Sequence, residues 1–270
     1  LFGRLDARSM VDNDVMVRRR DVARARDVLI SLGYEPLPFR DLAADLRTNF
    51  QYPMSRRVPG GAPAVAEIHW SAFPPDLYPV SEELLWRHVE PFELRGERLT
   101  VFDRPMTIVH LASHFAQHRF SEPRILRDLA AAWNLWGGSI DRSVLFEIAR
   151  ETGLLHALDY TFLSAADRGL LQAEPPRIGS RRAARLRRWL PASRLGEARP
   201  RHDYARMLLS LLLVDPRRLP RWILRRGFPP IETMAVIYGR PPSPALYLRY
   251  LTRPFRPLRR MLSSGSRRRA

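Results

Sequence analysis

Over Val11-Asp12-Asn13-Asp14-Val15-Met16-Val17 the side chains follow a period of two, the pattern of a strand with one face toward a core. The period then lengthens. Val22, Ala25, Val28, Leu29 and Leu32 recur at helical spacing, with Asp21 placed to cap the start and Gly33 to end the helix. Residues 45–58 and 63–72 are predicted as extended segments joined by the turn signal Pro59-Gly60-Gly61. The economical assembly is a small sheet with a helix against one face.

From about residue 81 the pattern changes. Ser81-Glu82-Glu83-Leu84-Leu85-Trp86 opens a short helix, residues 92–102 are predicted as one more strand pair, and 104–119, 124–136, 141–151 and 154–171 carry helical periodicity. Residues 179–190 and 201–214 extend the helical pattern, and 215–262 is dense in Pro, Arg, Trp and Tyr. The expected fold class is α+β: a small mixed β-sheet domain over residues 1–103, then a mainly α-helical region. That region divides into a helical domain packing on the sheet domain at 104–175 and a basic, Pro-rich part at 176–262, with the break at Pro175-Pro176. Residues 263–270 have nothing apolar to bury and are expected to be disordered. The longest apolar run, Met207 to Val214, is far short of the roughly 20 residues that span a bilayer and fits a buried helix. The chain begins with Leu1 rather than Met, which carries the expectation that further residues precede it.

Composition changes this picture in two places. The absence of cysteine excludes disulfides and thiolate-bound zinc and is compatible with a reducing cytoplasm. The formal charge of +17 is carried entirely by Arg among the basic residues and is unevenly placed. Residues 1–176 hold 21 Arg against 24 Asp and Glu, a balance of −3, whereas 177–270 hold 24 Arg against 4, a balance of +20. The carboxylate chemistry therefore lies in the acidic part. The basic part, residues 177–270, fits an anionic membrane surface, a nucleic acid, or a solvated face whose Arg stems cover a helical core. The localisation that follows is cytoplasmic, with a peripheral membrane contact as a further expectation.

Asp12 and Asp14, at i and i+2 of one strand, share a face and can meet one ion, and a neighbouring strand can bring Glu67 of Val65-Ala66-Glu67-Ile68-His69-Trp70 beside them. Three carboxylates repel one another in a small site, and divalent magnesium or manganese is the usual remedy. These segments, with Leu32-Gly33-Tyr34, Leu111-Ala112-Ser113-His114 and Leu126-Arg127-Asp128-Leu129, resemble the uncharacterised nucleotidyltransferase family of the DNA polymerase β-like superfamily. The resemblance implies a nucleotidyltransferase-like α+β domain with Asp12, Asp14 and Glu67 as catalytic, metal-binding carboxylates for Mg2+ (or Mn2+). It implies a nucleoside triphosphate as donor and a hydroxyl of a small molecule or protein as acceptor. Two departures stand out. The small-residue phosphate cradle of the superfamily is not visible, only Gly3 being near the start, and Asn13 takes the place of an apolar residue between the acids.

Arg8, matching the family pattern, contacts phosphate or forms a structural ion pair. His69 shares the face of Glu67 and is a candidate for the cleft, as are His114 and Asp128 from the later motifs. His110, His114 and His118 form a stripe along one helix, a weak zinc signal without a further ligand. The alternative function is a catalytically degenerate nucleotide-binding or interaction module whose basic end contacts membrane or nucleic acid.

Overall fold

The computed structural model describes residues 12–189 and 208–252; Arg8, the first half of the helix expected over 201–214 and the tail expected over 263–270 lie outside the described residues. The fold is α+β, with a mixed four-stranded sheet, a separate two-stranded hairpin and many helices. Two compact units are present, one spanning residues 77–219 and the other formed by residues before 77 together with those after 219.

In the second of these units, strand β1 (Asp12–Met16) leads through a 3-10 turn at Arg19–Asp21 into helix α1 (Val22–Ser31). Asp21 occupies the N-cap position but makes no side-chain capping bond, because its backbone is already helical. The C-terminal end follows the sequence expectation. Gly33 takes φ +82, its N–H reaches Ile30 O at 2.9 Å, and the Tyr34 N–H reaches back to Leu29 O at 3.0 Å, which satisfies carbonyls that the helix leaves open.

Residues 42–48 are a helix, α2 (Leu42–Thr48), and not the start of an extended segment. Asp41 caps it by accepting the Ala44 N–H at 2.7 Å, and Leu42 and Leu46 face the core on one side of it. A short β2 (Glu35–Pro36), β3 (Gln51–Arg56) and β4 (Ala64–His69) complete the sheet in the order β1-β4-β3-β2. β3 and β4 form an antiparallel hairpin across the Pro59-Gly60-Gly61 turn, and β1 joins β4 in parallel.

The register gives the two faces different chemistry. Tyr52, Met54, Ile68 and Trp70 point to one side and are buried with Val22, and Val17, Ala25, Leu29, Leu42 and Leu46 close over them. Each such large side chain contributes about 1.5–3 kcal/mol on burial. Val28 and Leu32, which share the helical spacing, stay half exposed, so the buried stripe of α1 is narrower than the periodicity implies. Val15 is also half exposed, as suits a position on the edge strand β1. The opposite face carries Asp12 and Asp14 of β1, Glu67 and His69 of β4, and Gln51 of β3.

In the unit spanning 77–219, helix α3 (Glu82–Arg87) is capped by Ser81, and β5 (Val89–Leu94) and β6 (Glu97–Phe102) pair across a two-residue turn. Arg95 and Gly96 both take positive φ there, the backbone that a tight hairpin of this kind requires. Helices α4 (Arg104–Gln117), α5 (Pro123–Trp136), α6 (Arg142–Glu151) and α7 (Leu155–Asp167) pack around Ile108, Leu129, Trp133, Leu145, Leu158 and Phe162. Trp133 meets Phe162 edge to face at 4.8 Å. Helix α8 (Arg181–Trp189) is tied to α7 through Ser180, whose N–H donates to Asp159 at 2.7 Å and whose hydroxyl lies 2.8 Å from His156 Nδ1.

The Pro- and Arg-rich end contains helices at Leu219–Gly227, Ile231–Tyr238 and Pro244–Thr252. Its arginines are not all directed at solvent, since Arg225 pairs with Asp76 and Arg218 donates to Leu77 O. Among the described residues no helix is long and apolar enough to cross a membrane.

Candidate metal centre

The parallel register places Asp14 directly opposite Glu67, and Met16 opposite His69. Asp14 and Glu67 therefore face each other across adjacent strands. Two like charges at roughly 5 Å repel by about 1–3 kcal/mol, the lower figure applying where solvent screens one partner, as it does for the half-exposed Asp14. The surrounding groups offset this. His69 Nε2 lies 3.2 Å from Asp14 Oδ1 and 3.3 Å from Glu67 Oε2, and the Gln51 side-chain amide donates to Glu67 Oε2.

One ligand atom from each of Asp14, Glu67 and His69 falls within 4.8 Å of the others, the group among the described residues whose arrangement suits a cation. Two carboxylates and an imidazole are a donor set that fits a small divalent ion. Burial alone would lower the His69 imidazole, but its hydrogen bonds to Asp14 and Glu67, and their charges, outweigh burial and hold it up at about 9. With no ion bound, the ring carries a proton between the two carboxylates at neutral pH, and a cation held by all three groups would take the place of that proton on Nε2.

The group rests on a stiff frame. β4 is paired on both sides, by β1 and β3, and beyond its end the chain is still held by Val17 N–H to His69 O at 2.8 Å and Trp70 N–H to Phe50 O at 3.1 Å. The Phe50 ring stands 5.9 Å from the His69 ring.

Of the residues singled out in the sequence, Asp14, Glu67 and His69 come together in this group. Asp12 shares their face but stands one pleat farther along, opposite Val65 and exposed to solvent. Asn13 lies at an exposed position and its amide donates to Val65 O at 3.4 Å, which is how a polar residue is accommodated between the acids. His114 and Asp128 belong to the unit spanning 77–219. There His114 is half-buried on α4 with its ring 4.8 Å from His118 and 6.1 Å from His110, and Asp128 is buried on α5. Gln51 is the participant that the sequence did not single out. Its place follows from pairing with His69 across β3 and β4, and the only sequence trace of that register is the turn at Pro59-Gly60-Gly61.

The model of a family described as uncharacterised nucleotidyltransferase matches residues 1–168, which takes in the whole of the four-stranded sheet and helices α1 to α7. No curated protein and no solved structure matches the chain.

Proposed function

The chain belongs to the uncharacterised nucleotidyltransferase family, and on that premise we propose that it is a metal-dependent enzyme transferring a nucleotidyl group from a nucleoside triphosphate to a hydroxyl of a small molecule or protein. The observation that carries this reading is the pairing of Asp14 with Glu67 across two adjacent strands, with Asp12 on the same face. Asp12, Asp14 and Glu67 would hold Mg2+ or Mn2+. When bound, such an ion supplies positive charge that draws the triphosphate and lowers the pKa of the acceptor hydroxyl.

The chain's own residues do the rest. The sheet fixes Asp14 against Glu67 so that no reorganisation is needed at the moment of reaction. Gln51 orients the Glu67 carboxylate through its amide. One of the carboxylates on this face takes the acceptor's proton as its oxygen attacks the α-phosphorus, and the bond from that phosphorus to the bridging oxygen breaks to release pyrophosphate.

The test is transfer of label from an α-labelled nucleoside triphosphate to a panel of hydroxyl acceptors, the protein itself included, with Mg2+ or Mn2+. Wild-type protein is expected to transfer label and release pyrophosphate, and Asp14→Asn to lose both by at least about a thousandfold, because the substitution weakens the hold on the metal in the bound state as well as in the transition state. Transfer that persists in Asp14→Asn would refute the assignment. Retained triphosphate binding without any pyrophosphate release would instead identify a binding module.

A further inference from the structure

Resting on the metal-dependent reading, we infer that His69 is itself a metal ligand, and that its nitrogen makes this site prefer manganese, or another divalent ion with affinity for imidazole, over magnesium. The carboxylates alone would form the all-oxygen site that magnesium favours. Here His69 Nε2 is aimed between the two carboxylates, 3.2 Å from Asp14 and 3.3 Å from Glu67, so an ion bound by both oxygens lies within reach of the ring.

Three features make His69 more than a hydrogen-bonding neighbour. It sits two residues after Glu67 on β4 and therefore on the same face, with the strand paired on both sides. Its own carbonyl accepts the Val17 N–H, and Phe50 stands beside the ring, which limits the freedom of the imidazole before any ion arrives. Glu67 Oε2 also accepts the Gln51 amide, so His69 is one of two groups that hold this carboxylate. An imidazole nitrogen raises affinity most for cobalt or zinc and least for manganese among these ions, while magnesium keeps its preference for oxygen and water.

The test uses the full chain, stripped with a chelator and titrated with Mn2+ alone. Pulsed electron paramagnetic resonance on the bound ion reports whether a nitrogen nucleus is directly coordinated. The expected result is one bound Mn2+ with a nitrogen coupling, displaced by Mg2+ only at a concentration at least about tenfold higher. In His69→Gln the coupling should vanish and the preference for Mn2+ should shrink, with circular dichroism confirming that the variant is folded. Bound Mn2+ that lacks the nitrogen coupling, or a coupling that survives in His69→Gln, overturns this inference and leaves the metal-dependent reading standing. Failure to bind Mn2+ even with a nucleoside triphosphate present overturns both.

Discussion

Asp14 and Asp12 are equivalent in the sequence and different in the fold. Asp14 faces Glu67 and His69, while Asp12 stands one pleat away, opposite Val65. Asp14→Asn and Glu67→Gln are therefore expected to lower Mn2+ affinity at least about tenfold, with Asp12→Asn lowering it less, as measured by titration of the stripped protein. Equal losses for all three substitutions would show that the site is centred nearer Asp12. Gln51→Leu leaves the ligands in place but removes the amide that orients Glu67. Its expected effect is about a tenfold loss of metal affinity with an unchanged melting temperature, and an unaltered affinity would show that Gln51 is a bystander.

At the scale of elements, the end of α1 and the tie between α7 and α8 give two tests. Gly33 adopts φ +82, and an added Cβ would meet only the flexible Arg56 side chain, Cδ at 3.4 Å and Cγ at 3.9 Å, so the cost of Gly33→Ala comes from its own backbone. About 1–2 kcal/mol of destabilisation is expected by denaturant titration, and no loss would mean that the turn relaxes. Asp159 is buried, which pushes its carboxyl above the ordinary value, and the Ser180 N–H offsets this only in part. The folded state thus favours the neutral acid. The associated stability is fully present below about pH 3.9 and is lost as pH rises through the raised folded value. Asp159→Asn, which keeps an acceptor for Ser180, should be more stable relative to wild type at pH 7 than at pH 4. A difference independent of pH would contradict this.

The same elements explain what could be seen in the sequence. The α1 stop at Gly33, the β3–β4 turn and the long helices of residues 104–167 are local signals of glycine, proline and period, and the structure carries them. Helix α2 is hidden in the sequence because its apolar contacts, Leu42, Ala44 and Leu46, are few, its start rests on the Asp41 cap, and the charged Asp45, paired with Arg40, occupies one of its buried positions. The pairing of Asp14 with Glu67 is a matter of register between strands 53 positions apart, and period alone does not specify it. The alternation at Val65 to Trp70 places Glu67 and His69 on one face, so this part of the site is legible from one strand alone.

For the whole molecule, the family match over residues 1–168 takes in the sheet that bears the carboxylates, and the basic residues are concentrated beyond it. The central claim is that the carboxylate face of that sheet binds a nucleoside triphosphate through a divalent metal ion. The most direct measurement is equilibrium binding of ATP and the other nucleoside triphosphates to the full chain, with and without Mg2+ or Mn2+, in wild type and Asp14→Asn. The account predicts binding of at least one triphosphate that requires the metal, is abolished by chelation and is weakened at least about tenfold by Asp14→Asn. Binding that is independent of metal and unchanged by the substitution would contradict it.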